Sequence, residues 1–164
     1  MTRLLVDVNV VLDALLVRPP HSDAATKLWT AVEEKRAEGL VPAHGVTTLY
    51  YLLGRAKGAA SAGRAIGDLL AVFKVASVDQ TVLQRALTLA WPDFEDAVCA
   101  AAAEAAGCDL IVTRDPAGFK GSPVPTVNAA TAWALLDRGR GPGRVAERAR
   151  PAYVTKASRS LSPR

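Results

Sequence analysis

The sequence predicts an α/β domain built on a mostly parallel sheet. Short apolar runs at residues 4–8, 40–41 and 109–113 read as buried strands, and stretches with apolar residues at helical spacing lie between them. Capping and breaking residues fall at the junctions. Strands alternating with helices along one chain call for crossover connections, which make neighbouring strands parallel. A chain of 164 residues fits one domain with a real core.

The first run, Leu4-Leu5-Val6-Asp7-Val8, is a buried strand that ends in a carboxylate. Residues 9–17 are expected to turn from loop into a short helix, stopped by Pro19 and Pro20. Ser22 or Asp23 is placed to cap a second helix carrying Leu28, Trp29 and Val32, with Gly39 as its stop. A third helix holds Val46, Leu49, Tyr50, Leu52 and Leu53, broken at Gly58, and Ile66, Leu69, Leu70 and Phe73 mark a fourth. Residues 75–78 are strand-like. Asp79 opens a fifth helix, and Pro92 opens a sixth that Gly107 closes. Pro125, Thr126 and Val127 suggest a last short strand, and residues 129–136 a final helix.

Half the residues are apolar while aromatics are few, which suits close helix packing against a sheet. The opening apolar run is too short and too charged to span a bilayer, so no membrane association and a cytoplasmic setting are expected. Cys99 and Cys108, without metal-site spacing, read as buried thiols. Charge divides the chain. Residues 1–137 hold 12 Lys/Arg against 15 Asp/Glu, whereas residues 138–164 hold 8 against one. A mildly acidic domain over 1–137 therefore precedes a basic, Gly/Pro/Arg/Ser-rich segment expected to be a flexible tail. That tail suits either a salt-sensitive nucleic-acid anchor or a solubilising terminus.

Ligands of open parallel sheets bind beyond the carboxyl ends of the strands, where strand order reverses. Asp7 ends the first strand and Asp115 follows the strand at Leu110, Ile111 and Val112. Asp93, Glu95 and Asp96 open the helix between them. On a helical wheel Asp93 and Asp96 lie together, Glu95 points elsewhere, and Phe94, Ala97, Val98, Ala101 and Ala105 face the core. Clustered carboxylates raise one another's pKa unless a cation sits among them. Oxygen donors select Mg²⁺ or Mn²⁺, ions that can generate hydroxide and stabilise charge on a phosphodiester. Each acid alone also has an ordinary explanation: helix N-termini favour carboxylates, and Asp-Pro opens turns. Asp7 is the hardest to explain away, since a charge ending a buried strand is costly without a partner.

Three segments carry a family resemblance. Residues 5–13, with Asp7 and then Asn9, resemble the opening of PIN domains; residues 93–98 are similar to the family's central acidic helix start; and Thr113, Asp115 and Phe119 match its Thr-x-Asp-x-x-x-Phe segment. The resemblance spans residues 3–136, in order and spacing. It implies a PIN-like three-layer α/β/α sandwich and a Mg²⁺- or Mn²⁺-dependent endoribonuclease, commonly the VapC-type toxin of a toxin–antitoxin pair, homodimeric and bound by a small antitoxin. Carried over by position, Asp7, Asp96 and Asp115 are the catalytic metal ligands. Asn9 and Thr113 orient waters or carboxylates, and Asp93 supports Asp96 or binds metal through water.

One departure stands out. Many members carry a glutamate on the helix after the second strand, where this chain has Tyr50 and Tyr51, and no acid occurs across residues 40–67. Asp93 is a possible replacement. The alternative is a catalytically degenerate PIN fold acting as an RNA- or partner-binding module. A haloacid-dehalogenase-like phosphatase also places Asp after its first strand, but needs a second Asp two residues on, where Asn9 cannot transfer a proton. Among other residues, Arg114 and Lys120 are either phosphate contacts or solvated loop charges. His44 is a pocket-mouth residue or a surface cap, and Tyr50 and Tyr51 either stack on bases or pack.

Overall fold

The computed structural model of the chain describes residues 1–138. Of the tail expected over 138–164, Arg138 is the C-cap of the last described helix, and residues 139–164 lie outside the described residues. Five strands, β1 (Arg3–Val6), β2 (Glu38–Pro42), β3 (Lys74–Ala76), β4 (Leu110–Val112) and β5 (Thr126–Val127), form one sheet in the order β3-β2-β1-β4-β5. Every pair is parallel. Seven α-helices connect or follow them among the described residues: α1 (Val8–Leu15), α2 (Ser22–Glu33), α3 (Ala43–Lys57), α4 (Ala59–Val72), α5 (Gln80–Leu89), α6 (Phe94–Ala105) and α7 (Ala129–Asp137).

Alternation along β1 divides the interior into two cores. Leu4 and Val6 face α1 to α4 and α7, while Leu5 faces α5 and α6. Successive strand residues point to opposite faces, so one strand serves both layers of the α/β/α sandwich. Trp29 of α2 is buried and meets Phe73 edge-on at 5.0 Å. Trp133 of α7 lies under the guanidinium of Arg36, 4.6 Å from the ring centroid. Cys99 and Cys108 are buried free thiols, as expected. No helix among the described residues is long and apolar enough to cross a membrane.

Several local expectations need correction. No loop separates β1 from α1: Asp7 caps the helix directly by accepting from the Val8 N–H at 2.7 Å. Neither Ser22 nor Asp23 caps α2, because the helix begins at Ser22 itself and winds out of the preceding turn. Gly39 does not end α2. That helix closes at Glu33, Lys35 takes the left-handed step (φ 59°), and the Arg36 N–H returns to the Ala31 carbonyl at 2.9 Å. Gly39 instead sits within β2, where an added Cβ would come within 2.6 Å of the Phe73 ring and 2.8 Å of Val32. We expect Gly39→Ala to cost about 1–3 kcal/mol by overpacking, read as a lower urea midpoint; an unchanged midpoint would contradict this packing.

On α6, Phe94 and Ala105 are exposed, whereas Cys99, Ala100, Ala102 and Ala103 are buried beside Ala97, Val98 and Ala101. The helix is wedged between the sheet and α5, so it buries most of its girth past the first turn, and small side chains permit that. Tyr50 and Tyr51 are 46% and 60% exposed, so they do not pack as core aromatics.

Candidate active site

From β1 the chain lays β2 and β3 to one side, then returns to lay β4 and β5 on the other. Strand order thus reverses between β1 and β4, and the crevice at their carboxyl ends is where such sheets bind ligands. Asp7 follows β1 directly and Thr113 follows β4, with Asp115 two residues further on.

Thr113 ties these segments together. Its side chain is buried, its hydroxyl donates to Asp7 Oδ2 at 3.0 Å, and it accepts the Asp115 N–H at 3.3 Å. The Asp7 N–H bonds the Val112 carbonyl at 2.9 Å, continuing the β1–β4 ladder up to the carboxylate. Asp7 is therefore held by a strand end, a helix start and a hydroxyl. Burial raises its pKa above the ordinary carboxylate range, and the Thr113 and Val8 hydrogen bonds oppose that rise.

Asp96 sits in the first turn of α6. Asp93 is the N-cap, its Oδ1 accepting the Asp96 N–H at 3.1 Å. Burial, followed by the charges of Asp93, Asp7, Glu95 and Asp115, pushes Asp96 up to about 6. Four carboxylates are thus close enough to act on one. Gly118, in the 3₁₀ turn Pro116–Phe119, leaves a space between two of them. A Cβ added there would lie 3.1 Å from Asp115 Oδ2 and 3.6 Å from Asp96 Oδ2.

Asp7, Asp96, Asp115, Thr113 and Asp93 consequently gather at one edge. Asn9 is exposed on α1, and no side-chain hydrogen bond holds it among the described residues. Glu95, set aside on the helical wheel, acts electrostatically on Asp7, Asp96 and His44. Glu95 is itself exposed and makes no side-chain hydrogen bond among the described residues, so its influence is that of a charge at a distance, while Asp93 and Asp96 lie together as expected. His44, in the first turn of α3, belongs with this group. Its Nδ1 is buried without a hydrogen-bond partner, and the charges of Glu95 and Asp7 oppose the lowering of its pKa by burial. Glycine at position 45 lets α3 come this near, since a Cβ there would meet Val8 at 2.7 Å. The acid-free stretch after β2 thus brings an imidazole to the pocket. A basic residue at the helix start, flanked by a small one, was the available signal.

The Arg114 side chain is 34% exposed, as a loop charge would be, but its guanidinium is not free, because it pairs with the buried carboxylate of Asp13. Asp13 is 1% exposed and was not singled out in the sequence. Lys120 is exposed and lines a shallow cleft with Pro116, Phe119, Ser122 and Thr126, beside Asp115.

Oxygen donors of this kind suit a hard divalent cation, which keeps several waters and needs few protein ligands. No three His, Cys, Asp or Glu side chains among the described residues converge closely enough to hold an ion unaided. The gap beside Gly118 and the mutual repulsion at Asp96 are consistent with a cation held by one or two carboxylates and water.

Residues 3–117 match the sequence profile of the PIN domain. No curated protein sequence matches the chain. Among solved structures, VapBC2 from Rickettsia felis, bound to a DNA fragment from its promoter, is similar at TM-score 0.62 and 15% identity, over 77% of this chain and 98% of that one. A toxin–antitoxin complex from Klebsiella pneumoniae is similar at TM-score 0.58 and 18% identity, over 76% and 96%. VapC20 from Mycobacterium tuberculosis, a toxin that cleaves the sarcin–ricin loop, is similar at 0.55 and 19%, over 66% and 86%. At these identities the likeness is one of fold. The profile match covers the segment from β1 to the 3₁₀ turn, so it takes in every acid gathered at the sheet edge, and the chain belongs to the PIN domain family.

Proposed function

We propose that this chain is a divalent-metal-dependent endoribonuclease and the toxin of a toxin–antitoxin pair. The observation that carries the reading is the crowding of carboxylates around Asp96 at the strand-order reversal, with its pKa pushed up to about 6. Asp7, Asp96 and Asp115 are the residues assigned to hold Mg²⁺ or Mn²⁺, one or two of them directly and the rest through water. When bound, such an ion supplies Lewis acidity and a hydroxide at neutral pH. Thr113 holds Asp7 in orientation through its hydroxyl, Asp93 fixes the start of α6, and the buried strand ends exclude water behind the site. Asn9 is assigned to the outer rim, through water. The toxin role and a small antitoxin partner rest on the likeness to toxin–antitoxin structures; RNA as substrate and a homodimeric state are part of the same proposal.

Purified protein should cut structured RNA with Mn²⁺ or Mg²⁺ and stop when the metal is chelated. Failure to cut with either ion would reject the nuclease assignment. A second reading, an RNA- or partner-binding PIN fold without cleavage, draws on one observation: α3 offers no carboxylate, and Tyr50 is exposed in the expected region. RNA retention without cleavage under these conditions would select it.

A further inference from the structure

A charged cluster outside the acid pocket is built on one buried carboxylate, reached from the surface by two partly exposed guanidinium groups. Asp13 lies on the helix that Asp7 caps, about 1.7 turns further on, and its side chain is 2% exposed. A lone carboxylate there would be costly, and two guanidinium groups compensate it. Arg114 reaches it with two prongs: Nε donates to Oδ2 at 3.1 Å, and Nη2 donates to Oδ1. Arg18 Nε lies 3.2 Å from Oδ1, and the Arg18 backbone N–H donates to the Asp13 carbonyl at 3.1 Å. To fold Arg18 back, Val17 adopts a left-handed conformation (φ 52°) that a β-branched residue resists. Such strain persists where the surroundings over-determine it.

Arg114 stands directly before Asp115. The Asp115 side chain is exposed and has no hydrogen-bond partner among the described residues, so its position depends on its backbone neighbours. The segment 113–115 is fastened to α1 twice. Thr113 holds Asp7 at the helix start, and Arg114 holds Asp13 six residues on, about 9 Å along the axis. Thr113 and Arg114 are thus held at two points along α1, and the backbone leads from them directly to Asp115.

We propose that Asp13 and Arg114 are positioning residues: their forked ion pair, buried at its Asp13 end, sets Asp115 at its working distance from Asp7. This rests on the metal-site reading above. It assigns the pair a role in metal affinity that a merely stabilising ion pair would not have.

The test compares wild type, Arg114→Ala and Arg114→Lys at pH 7.5. Mn²⁺ affinity is read by titration calorimetry, amide hydrogen exchange over residues 115–119 is read without metal, and folding is checked by circular dichroism. Both variants should bind Mn²⁺ about 10- to 100-fold more weakly and exchange faster over 115–119, because lysine keeps the charge but loses the fork. If alanine does not fold, lysine carries the test. Asp13→Asn should lower affinity similarly and add little to Arg114→Lys in the double variant. Folded variants with wild-type affinity and wild-type exchange would overturn the inference while leaving the metal site intact. A wild-type protein that binds no Mn²⁺ would instead overturn the metal reading, and this inference with it.

Discussion

Asp7→Asn should give a folded protein that has lost Mn²⁺ binding and cleaves RNA at least about 10³-fold more slowly, the scale seen when a group at a reacting centre is removed. Asparagine serves as an N-cap as well as aspartate does. Its carbonyl can still accept from the Val8 N–H, and its amide can donate to the Thr113 hydroxyl, so α1 and the β1–β4 junction keep their bonds. Only the charge is lost. Burial already disfavours that charge, so the substitution should not weaken the fold. Cleavage kinetics and urea unfolding of the purified variant check both halves. Near-wild-type cleavage would remove Asp7 from the metal-ligand set.

Asp96→Asn is expected to abolish cleavage and, without metal, to raise stability at neutral pH. The carboxyl titrates near 6 in the folded chain and near 3.8 when unfolded. Between those values the folded state holds a proton that the unfolded state has released, so stability falls as pH rises through this window. The penalty is complete above about pH 6 and absent below about pH 4. Discounted for solvent screening at a partly exposed group, it is about 1–2 kcal/mol. Urea midpoints in chelator should therefore favour the variant at pH 7.5 and agree at pH 4. Mn²⁺ should reverse the order at pH 7.5 by binding wild type alone. Equal midpoints at pH 7.5 would show that the carboxylates around Asp96 do not repel as described.

The sheet and most helices were legible because their signals are local. Leu4, Leu5 and Val6 could be little else than a buried strand, and Asp79 caps α5 by accepting the Val82 N–H, as its position suggested. What escaped depends on partners remote in sequence. Gly39 looks like a helix stop until Phe73 and Val32 are seen to need its missing side chain. Asp7 looks like a strand terminus, yet it also caps the next helix, and that dual role removed the expected loop. At the site, Asp7, Asp96 and Asp115 stood out as acids at element ends. Asp13 did not, and the role of Arg114 stayed open between phosphate contact and loop charge, because a charge inside an apolar helix declares its purpose only when its partner, 101 residues away, is in place. Which of its two readings His44 takes, and the charge that Glu95 lends the site, stayed open for a related reason: the first turn of a helix at a sheet edge meets a neighbouring element that periodicity cannot reveal.

Anomalous diffraction from crystals soaked in Mn²⁺ addresses the metal site most directly. Scattering peaks should appear in the crevice beyond β1 and β4, bonded to oxygens of Asp7, Asp96 or Asp115, with water filling the other positions. Peaks confined to other surfaces, or none at saturating Mn²⁺ and pH above 7, would contradict it.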